Sequence, residues 1–215
     1  MKLLWLLIGP TLLLVVGLIV LQNIVITFLL FYGWLFLVPY FHKKSWRNHG
    51  IKPVHTLVGI GTGLICMLLI IGLSILFEEQ IFNLAHLHEQ LQVWDFTGRK
   101  VFLFILVLIF VNPFLEEWYW RKFIYDRLIE KISAFSTILV TSFFYALYHL
   151  FLVITLFAFP YSIIAFIGVL LAGLLWGGIR YYCQSIYPTI ISHCLADIVI
   201  IVVYVVVVLG GVAIS

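Results

Sequence analysis

Few side chains in this sequence are equipped for chemistry, and they fall into three short groups. The first is Glu116-Glu117 with Arg121, in VNPFLEEWYWRKF. The second is His149, in TSFFYALYHLF, and the third is His193 with Asp197, in PTIISHCLADIVI. All stand within or beside long apolar runs, where an ionisable side chain is costly to keep and by default marks a functional site. On a helix, Glu117 and Arg121 are four residues apart and pair along one face. Glu116 points about 100° away, on a face with Asn112, Tyr119 and Trp120, so it is left without that cation. An unpaired carboxylate out of water suits a general base, while its paired neighbour orders the site. A plainer reading of this group stays open, an interfacial salt-bridge cluster that ends a helix.

The other two groups converge with the first. The polar turn EKISAF lies midway between Glu116 and His149. An antiparallel hairpin about it brings both residues to one depth, roughly 20 Å from the turn at 1.5 Å per residue. His149 continues a polar stripe formed by Thr141, Ser142 and Tyr145, and His193 and Asp197 share a face of the last apolar run. Two histidines and two or three carboxylates at one depth suit hydrolysis. Imidazole and carboxylate also suit a divalent metal such as zinc, with Glu116, His149, His193 and Asp197 as its ligands. The same set equally suits water without a metal. Other hydrolytic signatures are missing: HExxH, GxSxG and GxGD do not occur. Cys194 beside His193 does not make a nucleophile–base pair, because adjacent helix residues diverge.

The elements that must position these groups are set by composition. Of 215 residues, 65% are hydrophobic and only 10% charged, with a mean hydropathy of +1.22. A soluble fold of this size needs more polar surface, which excludes a secreted enzyme, a cytosolic cofactor domain and a nucleic-acid binder. Three cysteines without paired spacing give no disulfide framework and no zinc knuckle. Apolar runs recur near 3–21, 24–41, 54–77, 101–120, 135–152, 160–181 and 187–209. Each is about the ~20 residues a bilayer requires. Backbone groups in lipid must be paired within the protein, so runs of this length without strict alternation are helices. The fold class expected is all-α, a polytopic bundle of about seven spans. Residues 1–100 carry the N-terminal helices and an outer loop, and 101–215 form the helical core of the site.

With the N-terminus cytoplasmic, Lys2, Lys43, Lys44, Arg47, Lys52, Arg121, Lys122, Arg127, Lys131 and Arg180 fall inside and only Arg99 and Lys100 outside. Lys and Arg collect on the cytoplasmic side, so this is the expected orientation, with Arg121 to Lys131 projecting beyond the bilayer. It puts the candidate site in the cytoplasmic half of the membrane. Gly168/Ala172 and Gly173/Gly177 form small-residue faces that let helices approach closely. The GIGTG run at 59–63 lies inside a span with no strand before it, which argues against phosphate binding.

The order EExxxR, then (F/Y)xxxH, then Hxxx(N/D) resembles the CAAX-protease and bacteriocin-processing family, also called CPBP or Abi, of intramembrane endopeptidases. The residues that carry it are Glu116, Glu117 and Arg121; Tyr145 and His149; and His193 and Asp197. The likeness covers about 100–209. It implies peptide-bond hydrolysis in the membrane, with Glu116 activating water and Glu117 and Arg121 supporting it. His149 would position the water or a metal, and His193 with the HxxxN position would stabilise the oxyanion. Tyr145 replaces the more usual Phe and adds a hydroxyl. Asp197 replaces Asn, and an ionised Asp cannot donate to an oxyanion, so it must be protonated, orient His193 or ligate a metal. The implied partners are the lipid bilayer and a membrane-embedded peptide or small-protein substrate. The cell membrane of a bacterium fits the short length and minimal loops. Two other functions compete: a non-catalytic scaffold or bacteriocin-immunity binding protein, and a proton-coupled transporter built on the same Glu/His cluster.

Overall fold

The computed structural model describes residues 2–42, 52–77, 83–96 and 98–209. The basic residues Lys43, Lys44 and Arg47 and the acidic Glu78 and Glu79 lie outside the described residues. Seven helices are long and apolar enough to cross a membrane. They are α1 (Leu3–Val20), α2 (Ile24–Phe41), α3 (Pro53–Leu76), α5 (Lys100–Leu128), α6 (Ala134–Leu156), α7 (Tyr161–Cys183) and α8 (Tyr187–Val206). A short helix, α4 (Leu84–Val93), lies between α3 and α5. No strand occurs among the described residues. The chain is an all-α, multi-pass membrane protein.

The boundaries follow local chemistry. The α1–α2 turn is as tight as Gln22 and Asn23 suggest: Gln22 takes a left-handed backbone (φ 49°). The Asn23 side chain then accepts a hydrogen bond from the Ile26 N–H at 3.0 Å, starting α2. Ser133 caps α6 in the same way through Ser136 N–H, at 3.1 Å. Pro53 and Pro188 sit in the first turns of α3 and α8, where no N–H is needed. Gln184, again left-handed, closes α7.

One end of the bundle is tied where Arg127, near the end of α5, donates to the carbonyl of His42 at the end of α2. At the other end, Ile24 N–H donates to the Trp94 carbonyl at 2.9 Å, and His86 of α4 meets the Thr155 carbonyl of α6 at 2.9 Å.

The interior is centred on α5, which contacts α2, α6, α7 and α8. This helix continues past the apolar run near 101–120, as the expected projection of Arg121 to Lys131 requires: it runs to Leu128, and Tyr119 to Tyr125 are buried within the protein. Several polar groups in this stretch find protein partners, although Trp120 Nε1 and the Tyr125 hydroxyl are buried without a hydrogen bond. Tyr119 donates to the Leu6 carbonyl of α1 at 2.5 Å and accepts from Trp34 Nε1 of α2 at 2.9 Å. Two wide π-type turns flank the Asn112–Glu117 segment. The first directly precedes Pro113, whose ring cannot continue the ordinary hydrogen-bond ladder.

Two glycine faces set helix spacing. A Cβ on Gly59 would lie 2.8 Å from Ile191 Cβ and from the Pro188 carbonyl, and one on Gly63 would lie 2.6 Å from Leu195 Cδ1. The GIGTG run therefore lets α3 lie directly against α8. On α7, Gly173 and Gly177 meet Ser142 and Ile138 of α6 in the same way, whereas Gly168 approaches nothing within 4 Å. Only the second of the two expected small-residue pairs is used through both of its glycines.

Candidate active site

The site assembles where α5 and α8 meet, backed by α6 and α7. Glu116, Glu117 and His193 are each no more than 2% exposed, and Arg121 is fully buried. His193 is the hub. Its Nδ1 is 3.1 Å from Glu117 Oε1, while its Nε2 lies 3.6 Å from Glu116 Oε2 and 3.5 Å from Asp197 Oδ1. The ring stacks on Trp176 at 4.1 Å between centroids, with edge contact to Tyr145 at 6.1 Å. Trp176 Nε1 is anchored on Ser192 Oγ at 3.0 Å, so the stacking partner is itself held.

The two adjacent glutamates have different surroundings. Glu117 pairs with Arg121 at 3.3 Å, as the four-residue spacing predicts. Arg121 also donates to the Gly173 carbonyl at 3.3 Å, and its guanidinium lies 4.4 Å from the centre of the Tyr145 ring. Glu116 has no cation of its own: its Oε2 accepts no hydrogen bond. It is nevertheless not isolated, because it shares His193 Nε2 with Asp197. The Tyr148 hydroxyl lies alongside its carboxylate.

Of the sequence-predicted residues, the structure brings together Glu116, Glu117, Arg121, His193, Asp197 and the ring of Tyr145. His149 stays apart. The imidazole–carboxylate pairs of the cluster all run through His193, and His149 enters none of them. Its Nδ1 instead donates to its own helix, at the Tyr145 carbonyl, 2.9 Å away, which in the neutral ring leaves Nε2 as an acceptor. Of the four residues expected as metal ligands, Glu116, His193 and Asp197 meet, and His149 makes no ion pair with them. Among the described residues, no three His, Cys, Asp or Glu side chains are grouped to hold a metal ion.

Four contributors were not singled out from the sequence. Asn112 donates from Nδ2 to Asp197 Oδ2 at 3.0 Å, and Tyr32 of α2 donates to Asn112 Oδ1 at 3.1 Å. Trp176 stacks on His193. Arg180 of α7 donates from Nε to the Arg121 carbonyl at 2.9 Å and pairs with Asp126 at 2.8 Å, bracing the π-type turn of α5. Asn112 had a signal, since it lies four residues before Glu116 on the same face. Tyr32, Trp176 and Arg180 had none, because each acts across a helix–helix contact.

A seven-helix membrane bundle with an imidazole buried among three carboxylates has the equipment of a membrane-embedded enzyme. Residues 97–199, just under half of the chain, match the family model described as type II CAAX prenyl endopeptidase Rce1-like. That segment is similar to the Rce1-like CAAX endopeptidases, a family of intramembrane proteases. No curated protein and no solved structure matches the chain. The matched segment holds Glu116, Glu117, Arg121, His149, His193 and Asp197; Tyr32 lies outside it.

Proposed function

We propose that this protein is an intramembrane endopeptidase that hydrolyses a peptide bond of a membrane-associated peptide with water activated by Glu116. The observation that carries the reading is the asymmetry of the two glutamates. Glu117 is engaged by Arg121 and His193, while Glu116 Oε2 stands buried beside His193 Nε2 with no hydrogen bond of its own.

Glu116 takes a proton from water as the water oxygen bonds to the scissile carbonyl carbon, and the carbonyl π electrons move onto its oxygen. When the carbonyl re-forms, the C–N bond breaks and the proton held by Glu116 passes to the leaving nitrogen. His193 Nδ1 faces an acceptor on Glu117, and Nε2 faces acceptors on Glu116 and Asp197. A ring donating at both nitrogens satisfies this arrangement and is the charge that stabilises the oxyanion. Asp197 orients that ring rather than donating to the oxyanion itself. His149, with Nε2 free to accept, positions substrate or water from the open side. No step is assigned to a divalent metal.

The Lys/Arg count supports a cytoplasmic N-terminus and a site in the cytoplasmic half of a bacterial cell membrane. His193 lies roughly 9 Å along α8 from its start at that face. A leader-bearing peptide, as in bacteriocin or signal-peptide maturation, suits this site, and a CAAX-like prenyl peptide is the substrate class suggested by the family. The test compares, by mass spectrometry, small-peptide pools of producing cells carrying wild-type protein or Glu116→Ala. A peptide cut only by the wild type establishes proteolysis and identifies the substrate. Identical pools, with both proteins stable in the membrane, assign the chain to the scaffold or immunity-binding class instead.

A further inference from the structure

One side chain from outside the family-matched segment reaches the site. Tyr32, on α2, has its ring held by edge contacts with Phe28 and Phe31 at 5.2 and 5.3 Å. Its hydroxyl meets Asn112 Oδ1 at 3.1 Å; Asn112 Nδ2 meets Asp197 Oδ2 at 3.0 Å; and the other oxygen of Asp197 faces His193 Nε2 at 3.5 Å. We infer that Tyr32 and Asn112 are positioning residues, forming a hydrogen-bonded relay from α2 through α5 that aims the Asp197 carboxylate at His193.

The polarity of the relay follows from chemistry. An ionised carboxylate only accepts, so the Asn112 atom facing Asp197 is the NH₂ group, and the carbonyl oxygen must point the other way. That oxygen has no hydrogen to give, so the Tyr32 hydroxyl donates to it. Each member therefore dictates the orientation of the next, and the amide is locked against the flip that would set its oxygen against Asp197. Asp197 needs such a lock. Its side chain is 14% exposed, against 2% for its partner His193, and without the amide it is free to swing off the ring. Asn112 is buried, so water does not readily replace the missing donor. An Asp at 112 would set two acceptors face to face, whereas a Leu would simply remove the link.

This inference rests on the proposed hydrolysis, in which Asp197 orients His193, and its test separates the two. Membranes containing full-length wild type, Tyr32→Phe, Asn112→Leu and Glu116→Ala are assayed on the peptide that the pool comparison identifies. Tyr32→Phe should lower kcat roughly three- to tenfold with KM unchanged, as expected for one lost hydrogen bond that acts on the reacting geometry. In the Asn112→Leu background Tyr32→Phe should add nothing. Equal slowing in both backgrounds, or full activity of Tyr32→Phe while Glu116→Ala is inactive, overturns the relay. A second readout does not use activity: melting midpoints in detergent for Tyr32→Phe, Asp197→Ala and the double variant. The two residues do not touch, so a non-additive effect that disappears with Asn112→Leu sustains the relay, and additive midpoints overturn it. If Glu116→Ala leaves the peptide pools unchanged, hydrolysis fails on its own and the melting cycle still decides the relay.

Discussion

The two nitrogens of His193 face regions built on opposite plans. On the Nδ1 side, Glu117 is fully enclosed, joined to Arg121, and the guanidinium is covered by the Tyr145 ring and by the Gly173 carbonyl. On the Nε2 side, Glu116 and Asp197 share one nitrogen at 3.5–3.6 Å, Glu116 Oε2 accepts no hydrogen bond, and His149 is only half-buried. The first region holds charge still by pairing it with a cation; the second leaves Glu116 without one and holds Asp197 through a neutral amide. Two adjacent residues of one type thus acquire different roles through their partners alone, and the closed side fixes the ring against which the open side works.

The sharpest way to break this comparison is Glu116→Gln, which keeps shape and removes the base. Peptide cleavage should fall about 10²- to 10⁴-fold, the contribution usual for general-base catalysis, while the melting midpoint in detergent stays near wild type. Arg121→Leu attacks the closed side instead. It strands Glu117 without its cation and should cost about 3–5 kcal/mol of stability, read as lower membrane yield and a lower melting midpoint. A protein that melts normally with Leu at 121 would show that Glu117 does not depend on the pair. Gly63→Val tests whether α3 sets the position of α8: its Cβ would collide with Leu195, and overpacking of this kind costs about 1–3 kcal/mol. Cleavage should fall with it through His193. Gly61→Ala, on the same helix but facing open space, should leave both stability and cleavage unchanged. The smallest loss is expected for Trp176→Phe, which keeps a ring against His193 and loses the bond to Ser192, about 1 kcal/mol in the same melting assay.

Much of the architecture is readable without coordinates, and what is not legible has physical causes. The seven spans and the Gln22–Asn23 hairpin are legible because bilayer-length hydrophobicity and turn chemistry are local properties. The burial of the end of α5 is not legible because Arg121, Lys122 and Arg127 mark a water-facing segment to any count of charges, while Glu117 pairs with Arg121, Asp126 with Lys122, and the Phe123 and His42 carbonyls accept from Arg127. The orientation of His149 is illegible for a related reason. The hairpin register brings its helix to the right depth, where Tyr148 indeed lies beside Glu116, but depth does not say which way a ring turns. The GIGTG run shows the reverse case: its packing role appears only when Ile191 and Leu195 are seen against it.

The sequence by itself determined that this chain is a helical membrane bundle carrying six ionisable groups in three motifs, because hydropathy and helical spacing act over one or two turns. It also determined the Glu117–Arg121 pair, which lies within one helix. Only the tertiary structure decided that Glu117, not Glu116, takes the Nδ1 side of His193, that His149 stands aside, and that α2 and α3 help to set the site. The Glu117–His193, Asn112–Asp197 and Tyr32–Asn112 contacts join residues 76 to 85 positions apart, and α3 meets α8 across a longer separation still; their geometry comes from how close-packed helices settle against one another rather than from any spacing along the chain.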